Sequence, residues 1–394
     1  MQTVAEMWLV LQLTHSGVAV GVAAALQFAP MLVAGAWGGL IADRFNKRRL
    51  LIATQTAMAL PALALLALTA TGAIQLWMLL ALICARGAVN AVDNPARQAF
   101  LVELVGPDRL VNAVSLGSAL VNGARTIGPA LAGVVIATAG VVPCFAVNAL
   151  SFAAMIGALR GMDATALRSA PPAPRRRGQV RAALRYVRAT PELRIPLALM
   201  AVVGTFTFNF QTLLPLLATF SFRGGAGAYA ALTTAMGLGA IAGAIANGTR
   251  SRVRPALLAG GSAAFGALVV AAALAPSTAV AALALVPVGA ASVVFAASVN
   301  SFLQLAVAPH MRGRVMALYS VVFLGSTPIG GPLMGWIASA AGPRVALALG
   351  GLVALAAAAW ARAAFARTGI ATGQPAQTRI ACTPGSPSRS PSRV

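Results

Sequence analysis

The sequence predicts an all-α membrane protein in which twelve transmembrane helices form two pseudo-symmetric six-helix bundles. Three observations carry this. Of 394 residues, 59% are hydrophobic and 9% charged, with mean hydropathy +0.84, whereas a water-soluble chain of this length carries about 25% charged residues. A soluble enzyme is thereby excluded. Twelve apolar segments follow one another with short punctuation between them, and the two halves repeat at a nearly constant offset. The formal charge of +22 is a topology signal rather than a nucleic-acid signal, because the basic residues sit between apolar runs and do not cluster with aromatics on one face.

Each segment is bounded by charge, Gly or Pro. Segment 1 (4–13) is short and stops at His15-Ser16-Gly17. Segment 2 (18–42) stops at Asp43-Arg44, and segment 3 (50–71) runs from Arg49 to Gly72. Segment 4 (75–96) ends at Arg97. Segment 5 (109–138) ends at Gly140, and segment 6 (141–160) at Arg160. Segment 7 (195–220) lies between Arg194 and Arg223. Segment 8 (227–247) precedes Arg250, segment 9 (255–275) opens on Pro255, and segment 10 (278–305) stops before Pro309. Segments 11 (314–340) and 12 (344–365) flank Gly342-Pro343. Lys and Arg fall in alternate loops: 25 of the 29 occupy 43–49, 97–109, 160–194, 248–254, 308–314 and the stretch after 361, while the opposite loops hold only Arg223 and Arg344. The positive-inside rule then predicts a cytoplasmic C-terminus. Cys84, Cys144 and Cys382 have neither metal-ligand nor paired spacing.

The repeat has an offset of 202 to 204 residues. Phe100-Leu101 through Pro107 matches Phe302-Leu303 through Pro309, Gly128-Pro129 matches Gly331-Pro332, and Gly39 and Ala42 match Gly243 and Ala246. The expected organisation is a first bundle (1–160), a linker (161–194), a second bundle (195–366) and a disordered tail (367–394) rich in Ser, Pro, Thr and Arg. Within the linker, Val180, Ala183, Leu184 and Val187 stand opposite Arg181, Arg185 and Arg188. That pattern suits a helix on an anionic leaflet or a solvated linker helix. Through the repeat, segment 1 is about half length, so the chain is expected to begin inside its first helix.

Gly39-Leu-Ile-Ala-Asp43-Arg44-Phe-Asn46-Lys47-Arg48-Arg49, between segments 2 and 3, resembles the loop signature of the major facilitator superfamily, with Asn46 where Gly is usual. Gly123-Ala-Arg125-Thr-Ile-Gly128-Pro129-Ala-Leu-Ala-Gly133 in segment 5 looks like the motif of its exporter branch. Asp93-Asn94-Pro95-Ala96-Arg97 and Arg312-Gly313-Arg314-Val315 extend the similarity to bacterial efflux proteins of the enterobactin-exporter type, over about residues 1–366. Two departures stand out: Arg86-Gly87 lacks the Gln and Gly that usually follow this arginine in proton-coupled exporters, and Asn247 replaces the second-half aspartate. The resemblance implies a conformational role for Gly39, Asp43, Arg44, Arg48, Arg86, Arg125, Gly128, Pro129 and Gly133. Asp43 would latch the two halves. Physically, Asp43 suits the free N–H groups of a helix start, while Arg44, Lys47, Arg48 and Arg49 suit anionic lipid. The glycines and Pro129 of segment 5 allow close approach, and Gly239-xxx-Gly243 of segment 8 offers a compatible smooth face.

An ionisable group deep in a bilayer costs at least about 2.5 kcal/mol unless it meets a partner or a polar cavity. Arg125 and Glu6 fall at similar depth and are expected to face a common cavity, either as a proton-carrying pair or as a static ion pair. Arg86 is expected in a cytoplasmic-side network with Asp43 or Asp93. Substrate-cavity candidates are Arg125, a stripe on segment 7 (Thr205, Asn209, Thr212, with Phe206 and Phe210 beside it), and Asn300 and Gln304 on segment 10. The same residues serve equally as interhelical contacts.

The expected function is secondary active export of a small hydrophobic or amphiphilic compound, drug-like or siderophore-like, by rocking of two halves. Resemblance implies a proton as co-ion, with Glu6, Asp43 and Asp93 as candidate carriers. No Gly-x-x-x-x-Gly-Lys-Ser/Thr loop is present, and no cofactor, metal or nucleic acid is expected; His15 and His310 both fall in loops. The expected partners are the lipid bilayer, a small-molecule substrate and a proton, and the expected state is a monomer. The 28 Arg to one Lys suggest a GC-rich bacterium, and so its inner membrane. A second reading is a non-transporting sensor or scaffold on the same fold.

Overall fold

The computed structural model describes residues 1–105, 110–163, 179–248, 255–308 and 311–368, and among them every regular element is helical. In chain order these are α1 (Gln2–Thr14), α2 (Gly17–Arg44), α3 (Lys47–Ala70), α4 (Leu76–Val105), α5 (Leu110–Ala139), α6 (Val142–Gly161), the linker helix α7 (Gln179–Ala189) and α8 (Pro191–Phe206). Then come α9 (Phe210–Leu216), a π-helical turn (Leu217–Ser221), α10 (Ala226–Gly248), α11 (Pro255–Ala273), α12 (Thr278–Ala306), α13 (Arg312–Gly325), α14 (Thr327–Ala341) and α15 (Pro343–Arg367). Among the described residues, ten spans are long and apolar enough to cross a membrane, α8 through the π turn counting as one and α13–α14 as another. A thirteen-residue α1 and α5, with its apolar stretch Ile127–Ala139, complete the expected set.

Helix starts follow ordinary capping chemistry. Ser16 Oγ accepts from Ala19 N, Asn46 Oδ1 from Arg49 N, and Ser277 Oγ from Val280 N. Asn46, the departure from the loop signature, is thus the N-cap of α3. The basic residues beside it divide. Arg44 and Arg49 are exposed. Lys47 pairs with Glu103 at 3.3 Å. Arg48 donates to the Leu159 and Arg160 carbonyls at 2.7 and 2.8 Å, capping α6. Lys47 and Arg48 therefore tie helices together rather than holding the loop against lipid, because unpaired C-terminal carbonyls and a buried carboxylate bind a cation more tightly than a hydrated headgroup does.

The helix packing repeats between halves. α2 packs on α4 as α10 packs on α12, α3 on α6 as α11 on α15, and across the seam α2 meets α14 as α5 meets α10. The seam is built on close approach. A Cβ on Gly21 would stand 2.3 Å from the Gly331 carbonyl oxygen, one on Gly335 2.2 Å from that of Gly17, and Gly17 N donates to Ser339 Oγ at 3.1 Å. Trp8 stacks on Tyr229 with centroids 6.0 Å apart. These contacts all lie toward the arginine-poor ends of the helices. The Gly239-xxx-Gly243 face does not meet α5 as expected: it packs on Val286 and Ala290 of α12, and α5 instead sets Gly133 against Ala230. Helical phase decides this, since Ala230 and Gly239 differ by nine residues, half a turn off register.

Overpacking at this seam sets a test. Gly21→Leu is expected to cost about 1–3 kcal/mol and Ser339→Ala about 1 kcal/mol in thermal unfolding of the detergent-purified protein. Unchanged midpoints for both would show that α2 and α14 do not approach this closely.

Candidate functional site

Glu6 lies two turns from the arginine-poor end of α1, about 12 Å in at 1.5 Å per residue, and Arg86 lies about 15 Å along α4 from the same side. Both are therefore near the middle of a bilayer core of about 30 Å. The Glu6 side chain is fully buried, and Arg86 Nη2 meets its Oε2 at 2.7 Å. Gln2 Nε2 donates to Glu6 Oε1 at 2.6 Å, and Asn148 Nδ2 donates to Gln2 Oε1. One carboxylate thus joins α1, α4 and α6. Arg86 Nε is buried without a hydrogen-bond partner among the described residues.

Arg86 was expected among Asp43 and Asp93. It turns instead to Glu6, because Asp93 lies two turns further along the same helix, roughly 10 Å away, and is already occupied. Asp93 is buried; its Oδ1 accepts from Thr54 Oγ1 at 2.7 Å and Gln55 Nε2 at 2.8 Å, and its Oδ2 pairs with Arg97 at 2.6 Å. A carboxylate so satisfied fixes the α3–α4 packing. The side chains of Gly39, Asp43 and Arg125 lie outside the described residues. Of the remaining segment 5 residues, Gly128 faces the Met1 nitrogen, and Pro129 sits inside an α5 that continues through it.

The polar stripe expected on segment 7 is interrupted. α8 ends at Phe206 and α9 begins at Phe210, so Thr205, Asn209 and Thr212 do not share one continuous helical face. Thr205 Oγ1 bonds back to the Ala201 carbonyl at 2.8 Å, and Asn209 Nδ2 to the Thr205 carbonyl at 2.7 Å. Asn209 and Thr212 are buried, and the Asn209 side chain gives the Thr205 carbonyl the donor that the break removes from the ladder. Phe206 is half-buried; Phe210 is buried against Phe265 at 6.1 Å. Asn300 and Gln304 bond to each other at 2.5 Å. Asn300 lies about 33 Å along α12 from Thr278, so this pair stands at the arginine-rich end and not at midplane.

Two groups were not singled out from the sequence. Gln2 and Asn148 complete the Glu6 shell; Gln2 precedes Glu6 by one helical turn, a usable signal. Facing aromatic rings gather around the α8–α9 break: Phe208 meets Phe265 at 5.1 Å and Phe323 edge-on at 5.7 Å, and Phe323 stacks on Tyr319 at 6.0 Å. Phe265 and Phe295 are fully buried, Phe208 and Phe323 half-buried. They come from three separate helices and the α8–α9 break, so no local spacing announces them. What the arrangement offers chemically is a titratable carboxylate–guanidinium pair at midplane in the first half, and an aromatic cluster in the second.

Removing one member of a buried pair costs about 3–5 kcal/mol, because the other charge is stranded. Glu6→Gln and Arg86→Gln are each expected to lower unfolding stability, with the double variant more stable than Glu6→Gln alone. Additive losses in this cycle would dissolve the pair.

The sequence profile of a family described as transmembrane secretion effector matches residues 1–377. The staphyloferrin A transporter of Staphylococcus aureus is 37% identical over 131 residues, 33% of each chain. YfiS, an uncharacterised MFS-type transporter of Bacillus subtilis, is 29% identical over 123 residues, 31% of this chain and 28% of that one. The chain thus spans about a third of the length of these curated relatives. In fold it resembles the nucleoside transporter NupG (TM-score 0.66, 14% identity, 95% of each chain). It also resembles a bacterial homologue of the human lysosomal transporter Spinster in an inward-facing, occupied conformation (0.68, 16%, 93% of this chain and 92% of that one). A POT family transporter bound to a thioalcohol-conjugated peptide superposes similarly (0.74, 10%, 93% of each). With the profile running through both helical bundles and the seam between them, the chain belongs to the transmembrane secretion effector family of major facilitator transporters.

Proposed function

We propose that this transporter exports a small hydrophobic or amphiphilic compound, of the drug or siderophore type, by proton antiport. The observation that carries the reading is the Glu6–Arg86 pair: a fully buried carboxylate bonded to a guanidinium at 2.7 Å, at a depth where ionisable groups are costly, rare and concentrated at ion pathways. Protonation of Glu6 neutralises its half of the pair and frees Arg86, so the charge of the midplane differs between the loaded and unloaded states. Asp93, held by three partners, is in this reading structural rather than a carrier. The half-buried rings Phe208 and Phe323 suit an apolar solute. A siderophore-type cargo draws on the staphyloferrin A transporter similarity, which reaches a third of the chain.

In the orientation we propose, the arginine-rich ends and the C-terminus face the cytoplasm, and the glycine seam closes the outer side. The chain then works in a bacterial inner membrane as a monomer.

Coupling is tested in proteoliposomes carrying an imposed pH gradient, with an amphiphilic dye as cargo. Wild type is expected to accumulate the dye against its gradient and Glu6→Gln to lose that accumulation while retaining downhill movement; Asp93→Asn should keep the pH response of whatever activity it retains. A pH response unaltered in Glu6→Gln removes Glu6 from coupling. A correctly inserted wild type that binds but moves none of a wide cargo panel would favour the sensor reading. Orientation is read from Cys382, which a membrane-impermeant maleimide should label in inside-out vesicles and not in intact cells, with Cys382→Ser as the blank.

A further inference from the structure

A groove of about 550 Å³ runs between α11 and α15, lined on one side by Ala259, Gly260 and Ala263 and on the other by Leu355, Ala359 and Arg362. Residues 355, 359 and 362 recur at i, i+4 and i+7, so they form one stripe parallel to the helix axis. The trench therefore lies along the membrane normal. Its wall is almost entirely small and apolar, and a Cβ placed on Gly260 would meet nothing within 4 Å, so the space is open. Arg362 is the cation in this lining, about 8 Å before the end of α15 at Arg367. From that depth its long side chain reaches the headgroup level at the arginine-rich end. Arg362 is exposed and makes no ion pair among the described residues.

The equivalent seam of the first half behaves differently. There α3 and α6 are tied at the same end by Arg48, which donates to the carbonyls of Leu159 and Arg160. Among the described residues, no side chain bridges α11 and α15 at that end; the bond between them, Ser262 Oγ to the Ala354 carbonyl, lies deeper. Both helices pack against members of the second half, so the groove stands apart from the seam and from Glu6.

We propose that this groove binds one anionic phospholipid, with an acyl chain in the alanine and glycine trench and the phosphate on the Arg362 guanidinium. The shape supplies the hydrocarbon slot, and the uncompensated arginine at its interfacial mouth supplies the preference for negative charge. This inference requires only that the chain sits in a bilayer; it does not depend on the exported compound or on the coupling ion.

The test is native mass spectrometry of the delipidated full chain titrated with phosphatidylglycerol or with phosphatidylcholine of the same acyl composition. Wild type is expected to retain phosphatidylglycerol about fivefold better, the effect of one basic residue at a charged surface. Arg362→Gln should equalise the two lipids, and Arg362→Lys should keep most of the preference. Gly260→Leu puts a side chain into the trench at a position where a Cβ meets nothing within 4 Å, and should release both lipids while leaving the thermal unfolding midpoint unchanged. A phosphatidylglycerol preference that survives Arg362→Gln overturns the proposal. So does lipid retention unaffected by Gly260→Leu, or a dimer mass that Gly260→Leu abolishes, which would assign the groove to a second copy of the chain.

Discussion

In a bilayer, lipid tails solvate a leucine as well as a neighbouring helix does, so helices adhere only through close backbone approach and through polar bonds that hydrocarbon cannot satisfy. The architecture of this transporter follows from that constraint. Where the halves meet, α2 and α14 place Gly17 and Gly21 against Gly335 and Gly331, at separations that no side chain would permit. Among the described residues such an interface is held by many weak contacts and one hydrogen bond, from Gly17 N to Ser339 Oγ. Under the proposed transport cycle such an interface is tight enough to close one end and cheap enough to part.

The few buried charges divide by how completely they are satisfied. Asp93 takes bonds from Thr54, Gln55 and Arg97, which leaves it little to gain from any rearrangement. Glu6 shares Arg86 with a hydrogen bond from Gln2, and Arg86 retains a buried Nε without a partner. A network with a spare donor at midplane has an alternative arrangement within reach, whereas a saturated one does not. This contrast separates the two carboxylates more firmly than their depth or their neighbours in the chain.

The halves repeat in topology yet diverge in detail, and the divergence is informative. The span α8–α9 breaks between Phe206 and Phe210 and continues through a π turn, irregularities that concentrate at functional positions. Aromatic rings from α11, α12 and α13 close around Phe208 at that break. The first half has no such cluster among the described residues and places its polar network at comparable depth instead. At the outer flanks, the α3–α6 seam is capped by Arg48 while α11–α15 is left open above Gly260.

Much was legible before any coordinates. Low charge and high hydropathy require helices that satisfy their own backbone in lipid, and the 202 to 204 residue offset between halves is sufficient to predict paired bundles. Glu6 and Arg86 stood out as costly, and Gly, Pro and charged punctuation placed most span ends within a few residues; segment 4, expected to stop at Arg97, continues as α4 to Val105. What the residues alone could not decide was which faces meet. Gly239 and Gly243 turned to α12 instead of α5, Arg86 to Glu6 instead of Asp93, and the segment 7 stripe was split by a helix break. Composition and periodicity are one-dimensional and report what a helix must bury; the partner depends on rotational phase and on interaxial distance, which only the packing of all the helices together determines.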